Sequence, residues 1–272
     1  MSTAGGGAAA RNLQSPPLPP QSGEFLRVST AARGILKHSG RNRPMDSFRH
    51  AILTRFNVRV EQSGRPGSDW LEHRFALFER FCLPSVKAQT CGNFVWIIFC
   101  DPDIPQPYLD RILAYAEWKT LRPIFFRNVF HQGMARAAVA DLARGHSHLI
   151  TSRLDNDDAI CRTFVESIQQ GFHGQKFEFL NFTNGYVLDA DDGRIWSGRH
   201  TSNAFVSLVE RAADYSTIYC GNHMDLHEQG PVTQIAEPAA WLQVVHGRNL
   251  SNQVWGTPAA AIDLYQAFGI RL

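Results

Sequence analysis

Three carboxylates fall within four positions at Asp155-Asn156-Asp157-Asp158, directly after the strand-like run His148-Leu-Ile-Thr-Ser-Arg-Leu154. Neighbouring like charges repel, and a cation, hydrogen bonds to the ionised form or a raised carboxyl pKa relieves the repulsion. Hard oxygen donors of this kind suit Mg2+ or Mn2+, ions that also hold diphosphate oxygens and stabilise a departing nucleoside diphosphate as Lewis acids. A competing reading makes the same acids the N-cap of a helix starting near Ala159, although one acid serves that purpose. A second acidic turn, Asp101-Pro102-Asp103, closes the run Phe94–Cys100, and ordinary turn chemistry explains it as well as ligand binding does. Further on, His223, Asp225, His227 and Glu228 lie within six residues, and His246 ends the apolar run Trp241–Val245. Asp191-Asp192-Gly193 has the composition of a hairpin turn and carries no catalytic expectation.

The elements that must position these groups are legible as short apolar or β-branched runs separated by helical periodicity. Strands are predicted at 50–56, 94–100, 122–128, 148–154 and 177–181, and helices at 70–89 and 134–144. Alternation of strand and helix predicts an α/β fold with a mainly parallel sheet covered on both faces, where ligands collect at the carboxyl ends of strands. Both main acidic turns stand at such ends.

Composition excludes several classes. With 272 residues, 44% hydrophobic, the chain can bury a core. Its longest apolar stretch, Phe94–Cys100, is far short of the roughly 20 residues that span a bilayer, which leaves peripheral membrane contact open. A net charge of +2 gives no general grip on nucleic acid. Residues 1–45 hold six basic residues and one acid, leaving 21 basic against 24 acidic residues in the rest. That Gly/Ala/Pro-rich segment reads as a flexible tail, and Met45 offers an alternative start. It lacks the apolar stretch of a secretory signal. Five cysteines, odd in number and without a C-x-x-C pair, suit a reduced, cytoplasmic setting.

The run Leu83-Pro-Ser-Val-Lys-Ala-Gln-Thr-Cys-Gly-Asn-Phe-Val-Trp-Ile-Ile-Phe-Cys-Asp101 resembles the helix, turn, strand and terminal Asp of GT-A-fold nucleotide-sugar glycosyltransferases. His131-Gln-Gly-Met-Ala-Arg136 and Ala143 through Asp158 are similar to the helix and D-x-D strand of the same enzymes. Within them, Ile150-Thr-Ser-Arg-Leu-Asp-Asn-Asp-Asp-Ala-Ile160 and Trp241-Leu-Gln-Val-Val-His-Gly-Arg-Asn249 resemble the rhamnosyltransferase family, over about residues 48–256. The resemblance implies one GT-A-like domain over 46–272, with a nucleotide-sugar half (46–160) and an acceptor half (161–272).

By that resemblance, Thr54, Arg55, Phe56, Asn57, Asp101, Arg136, Arg153, Asp155 and Asn156 contact the donor, a nucleoside diphosphate-sugar. Asp155, Asp157, Asp158 and His246 hold Mn2+ or Mg2+, with Asp157 the direct ligand. Asp225, or failing it Glu228, takes the proton of the attacking hydroxyl on a glycan, lipid-linked or other acceptor, with inversion. Arg153 departs from the apolar or aromatic residue common in relatives; its guanidinium matches a carboxylate or a phosphate equally well. Trp196, Trp241 and Trp255 are candidates for a sugar platform or for core packing. Two other functions compete. A phosphatase of the haloacid-dehalogenase type would use Asp101 and Asp103, although Pro105 departs from its pattern. A non-catalytic nucleotide-sugar binder would keep the acids without turnover.

Overall fold

In the computed structural model, which describes residues 47–60, 67–249 and 253–271, the first strand, β1 (Phe48–Arg55), is buried from His50 to Thr54. It lies between β2 (Val95–Cys100) and β4 (His148–Arg153), parallel to both, and β3 (Leu121–Phe125) extends the parallel set beyond β2. The five strand runs read from the sequence are all present, with ends that differ by a few residues. β2 is buried along its whole length, which explains its unbroken apolar sequence. Its residues alternate between two cores: Trp96, Ile98 and Cys100 face one, Val95, Ile97 and Phe99 the other.

Helix α1 (Ser68–Leu77) runs through a π-helical turn (Phe78–Cys82) into α2 (Leu83–Lys87) and packs Leu71, Phe75, Phe78 and Phe81 on the first core. A single regular helix over 70–89 was predicted. Pro84 has no N–H to give to the preceding turn, and the wider π turn stands immediately before it. Helix α3 (Gln106–Tyr115) was not anticipated, whereas α4 (Gln132–Ala143) matches its prediction and covers the other face through Met134, Ala135, Val139 and Leu142.

The second half completes the first sheet and builds another. β6 (Phe177–Phe182), β9 (Ser207–Arg211) and β10 (Val232–Ile235) join the first, with β9 antiparallel to both β4 and β6. The other sheet has the order β12 (Thr257–Pro258), β8 (Ile195–Arg199), β7 (Asn184–Asp189), β11 (Trp241–Val245), β5 (Ala159–Ile160). β7 and β8 form the predicted hairpin, with Gly193 at φ +75° in its turn. Residues 161–272 therefore share the first sheet with residues 46–160. The helix expected near Ala159 does not begin there: β5 occupies that position and α5 (Phe164–Gln170) starts later. Ile218–Cys220, which leads toward the turn His223–Glu228, is a 3-10 turn.

No helix among the described residues is long and apolar enough to cross a membrane. All five cysteines are unbridged, with Cys82, Cys100 and Cys161 buried. The expectations for residues 1–45, including the start at Met45, lie outside the described residues.

Candidate active site

A cavity of about 720 Å3 opens at the carboxyl ends of β1 and β4. Arg55 and Phe56 reach it from β1, Arg153 and the turn Asp155–Asp158 from β4, Trp70 and Arg74 from α1, and Trp241 and Gln243 from β11. Its charged end holds the arginines and acids. The remainder is neutral, with Asn203, His200, Phe205, Trp241 and Trp255 among its walls.

The acidic turn is knitted into three elements. β5 follows it at once and pairs antiparallel with β11, Ala159 opposite Leu242 and Ile160 opposite Trp241. That pairing carries the end of β11 to the acids. Asp158 Oδ1 accepts Val244 N–H at 2.8 Å, and His246 Nε2 lies 3.1 Å from Asp157 Oδ2. Arg248 N–H donates to His246 Nδ1 at 3.2 Å, so the proton resides on Nε2, which donates to Asp157. Arg74 Nη1 bonds the same Asp157 oxygen and also reaches Asn156 Oδ1 at 3.2 Å. Asn156 Nδ2 in turn donates to Phe56 carbonyl at 2.5 Å, tying the turn to the end of β1.

Arg153 grips Asp155 with two donors, Nη2 to Oδ2 at 2.8 Å and Nε to Oδ1 at 3.3 Å. Arg55 lies 3.9 Å from Asp155 Oδ1 and over the Tyr219 ring at 5.5 Å. Burial alone would push the Asp155 carboxyl up, but Arg153 and Arg55 together outweigh it and hold it below its ordinary value. Asp158 goes the other way: burial, then Asp157 and Asp155, drive it well above the usual carboxylate range. The repulsion anticipated from the sequence is thus relieved by guanidinium partners and by a raised carboxyl pKa.

The expected metal ligands Asp155, Asp157, Asp158 and His246 do gather at one turn, but as placed they do not fit a divalent ion. Asp157 Oδ2 is shared by Arg74 and His246, both Asp155 oxygens face Arg153, and His246 Nε2 is a donor. No three His, Cys, Asp or Glu side chains among the described residues form a group that could hold a metal.

Of the expected donor contacts, Arg55, Phe56, Arg153, Asp155 and Asn156 line the cavity, and Thr54, Asn57, Asp101 and Arg136 are outside its lining. Thr54 is fully buried, its hydroxyl accepting the Trp96 indole N–H at 2.9 Å, because alternation turns it toward the core. Asn57 and Asp101 clasp each other, Asp101 N–H to Asn57 Oδ1 at 3.0 Å and Asn57 Nδ2 to Asp101 carbonyl at 3.2 Å, while Asp101 Oδ1 caps its own turn through Asp103 N–H at 2.9 Å. Arg136 is exposed on α4, with its guanidinium over Tyr215.

The candidate bases sit on a 3-10 turn, His223–Glu228, with Leu226 buried. Asp225 and Glu228 are exposed, and His223 and Met224 are the residues of that turn that line the cavity. Arg153 Nη1 donates to His223 Nδ1 at 2.7 Å, and burial with the Arg153 charge pulls the imidazole down to about 4. A second cavity of about 340 Å3 meets the first at Ser202, Asn203 and His223, and no Asp, Glu, Lys or Arg is among its lining residues. Trp241 and Trp255 line the main cavity with ring centroids 6.0 Å apart; Trp196 packs beside Arg194 instead.

Sequence reasoning missed Arg74. It falls between Leu71 and Phe75 on α1, a position that reads as an ordinary exposed helical charge, and no local signal pairs it with an acid 83 residues away.

The family profile described as "Putative rhamnosyl transferase" matches residues 57–258. No curated protein matches the chain. Among solved structures, residues 1–349 of TarS from S. aureus in complex with UDP are similar at 10% identity and TM-score 0.42, covering 72% of this chain and 60% of that one. The TarS structure from S. aureus is similar at 13% identity and TM-score 0.42, covering 73% and 36%. HddC from Yersinia pseudotuberculosis complexed with GMP-PN is similar at 8% identity and TM-score 0.38, covering 72% and 89%. This chain therefore spans less than two thirds of the length of the first two.

Proposed function

The chain belongs to the rhamnosyl transferase family, and from that premise we propose that it moves a sugar, rhamnose foremost, from a nucleoside diphosphate to an acceptor hydroxyl with inversion. Membership makes it a glycosyltransferase rather than the phosphatase considered from Asp101 and Asp103. The observation that carries the donor reading is the cavity at the ends of β1 and β4, where three guanidinium groups meet a neutral, partly aromatic wall. A diphosphate suits the charged end, because guanidinium presents paired N–H donors that match phosphate oxygens. A sugar suits the neutral end, where Trp241 and Trp255 offer apolar faces and Asn203 and Gln243 offer hydrogen bonds.

In the reaction, an acceptor oxygen bonds to the anomeric carbon as the bond from that carbon to the diphosphate breaks. The nucleoside diphosphate leaves with the electron pair, and the acceptor proton passes to a base. The second cavity suits the acceptor, since its neutral polar lining fits an uncharged hydroxyl-bearing chain better than an ionic one. His223 stands where the two cavities meet. With Nδ1 occupied by Arg153, its free nitrogen carries the proton and donates to an acceptor oxygen rather than removing a proton.

The test is release of nucleoside diphosphate from dTDP-, UDP- and GDP-sugars, with the anomer of any product read by NMR. A nucleoside diphosphate present at about 100 times its Kd should add about 2.7 kcal/mol of stability. Release from at least one donor supports the transferase, tight binding without release supports the non-catalytic binder, and neither binding nor release removes the donor assignment.

A further inference from the structure

We propose that Arg55, Arg74 and Arg153, in place of a divalent cation, neutralise the diphosphate of the donor in the main cavity. The inference rests on the nucleotide-sugar reading above and names the groups that carry its charge. The three side chains arrive from β1, α1 and β4 and line one cavity. Each is held by a contact that fixes its guanidinium. Arg153 is clasped by Asp155, Arg74 bonds Asp157 and lies over Trp70 at 5.1 Å, and Arg55 lies over Tyr219 at 5.5 Å.

Asp155 and Asp157 act here as positioning residues. Both Asp155 oxygens face Arg153, Asp157 Oδ2 takes Arg74, and His246, which could have completed a donor set, gives its Nε2 proton to that same Asp157 oxygen. A divalent ion bound by Asp155 and by that Asp157 oxygen would compete with a guanidinium at each, and His246 Nε2 would join it only with its proton moved to Nδ1. Against the two carboxylates that hold them, the three guanidiniums leave one formal positive charge facing the cavity, with N–H donors already oriented. Arg55 is the most available of the three: its side chain is 30% exposed, and its approach to Asp155 is a 3.9 Å ion pair rather than a close hydrogen bond.

The experiment titrates UDP, dTDP and GDP into the full chain by calorimetry, once in EDTA and once in Mn2+, with the Mn2+ electron paramagnetic resonance signal followed in parallel. The expected result is that at least one of the three binds in EDTA with a Kd within about threefold of its value in Mn2+. Its affinity should fall with added salt and weaken about tenfold or more in Arg55→Met, and the free-Mn2+ signal should persist with protein and nucleotide present. Arg55→Met is preferred because its side chain is partly exposed, and the wild-type comparison needs no variant at all. Binding that requires Mn2+ overturns the arginine clamp and leaves the donor reading standing. Binding in EDTA that is indifferent to both salt and Arg55→Met overturns it as well. No binding in either condition overturns the clamp together with the donor reading.

Discussion

Asp157 and His246 meet through one hydrogen bond, Oδ2 to Nε2 at 3.1 Å, across 89 residues of sequence. The meeting depends on β5, two residues long, which follows the acidic turn and pairs with β11. Arg74 reaches the same oxygen from α1, so three distant segments converge on a single carboxylate.

That convergence predicts a coupled pair. Arg74 and Asp157 have side chains only 11% and 10% exposed, and removing one partner of a buried pair leaves an uncompensated charge. Arg74→Met should cost about 3 kcal/mol in urea unfolding, and adding Asp157→Asn should restore most of the loss. If the double variant is as unstable as the sum of the two single ones, Arg74 and Asp157 act independently.

Trp241 is fixed by close contact with a glycine. A Cβ on Gly185 would come within 2.0 Å of the indole, whose other face stacks on Phe205 at 5.5 Å and whose N–H donates to Phe182 carbonyl at 2.9 Å. Gly185→Ala should therefore destabilise by about 2 kcal/mol and shift the tryptophan emission spectrum, because the displaced ring forms part of the cavity wall. An unchanged spectrum and melting temperature would show that β7 and β11 can separate freely.

Stability should depend on pH through Glu210. Burial pushes its carboxyl from 4.5 up to about 7, against the opposing N–H groups of Ser216 and Thr217 at 2.6 and 2.8 Å. These bonds hold Thr217 at φ +73°, an unusual angle for a β-branched residue, just before the turn that carries Tyr219 under Arg55. A carboxyl raised in the folded state binds its proton more tightly there than in the unfolded chain. Its contribution is complete below about pH 4.5 and is lost as pH rises through about 7. Relative to Glu210→Gln, the wild type should lose up to about 3 kcal/mol over that range. Parallel curves for the two proteins would rule out Glu210 as the source.

His223 should leave no mark on the neutral part of the activity profile. Burial and then Arg153 bring it down to about 4, so it is already uncharged at pH 5 and above. As a donor to the acceptor it should be better replaced by Gln than by Ala. His223→Ala should lower kcat/KM about tenfold, His223→Gln less, and neither should remove a limb between pH 6 and 7. A limb near pH 6.5 that disappears in both variants would make His223 a base instead.

The sequence by itself determined β2, whose burial on both faces is written as a continuous apolar run, and β1 and β4, whose shorter apolar or β-branched stretches Ala51–Leu53 and Leu149–Thr151 stand at their centres, and it set the acidic turn at the end of β4. It also determined the β7–β8 hairpin, whose turn chemistry is local. Thr54 stands next to Arg55 and Asp225 next to Met224, yet neither lines the cavity: strand alternation turns Thr54 to Trp96, and with Leu226 buried Asp225 and Glu228 of its turn are exposed. Only the tertiary structure decided what the carboxylates face. Arg74 and Trp241 come to the cavity, and His246 to Asp157, through helix direction and the β5–β11 pairing, contacts that span scores of residues. Local residue pattern encodes burial and turn geometry, whereas the partner of a buried charge is fixed by packing between segments that share no sequence neighbourhood.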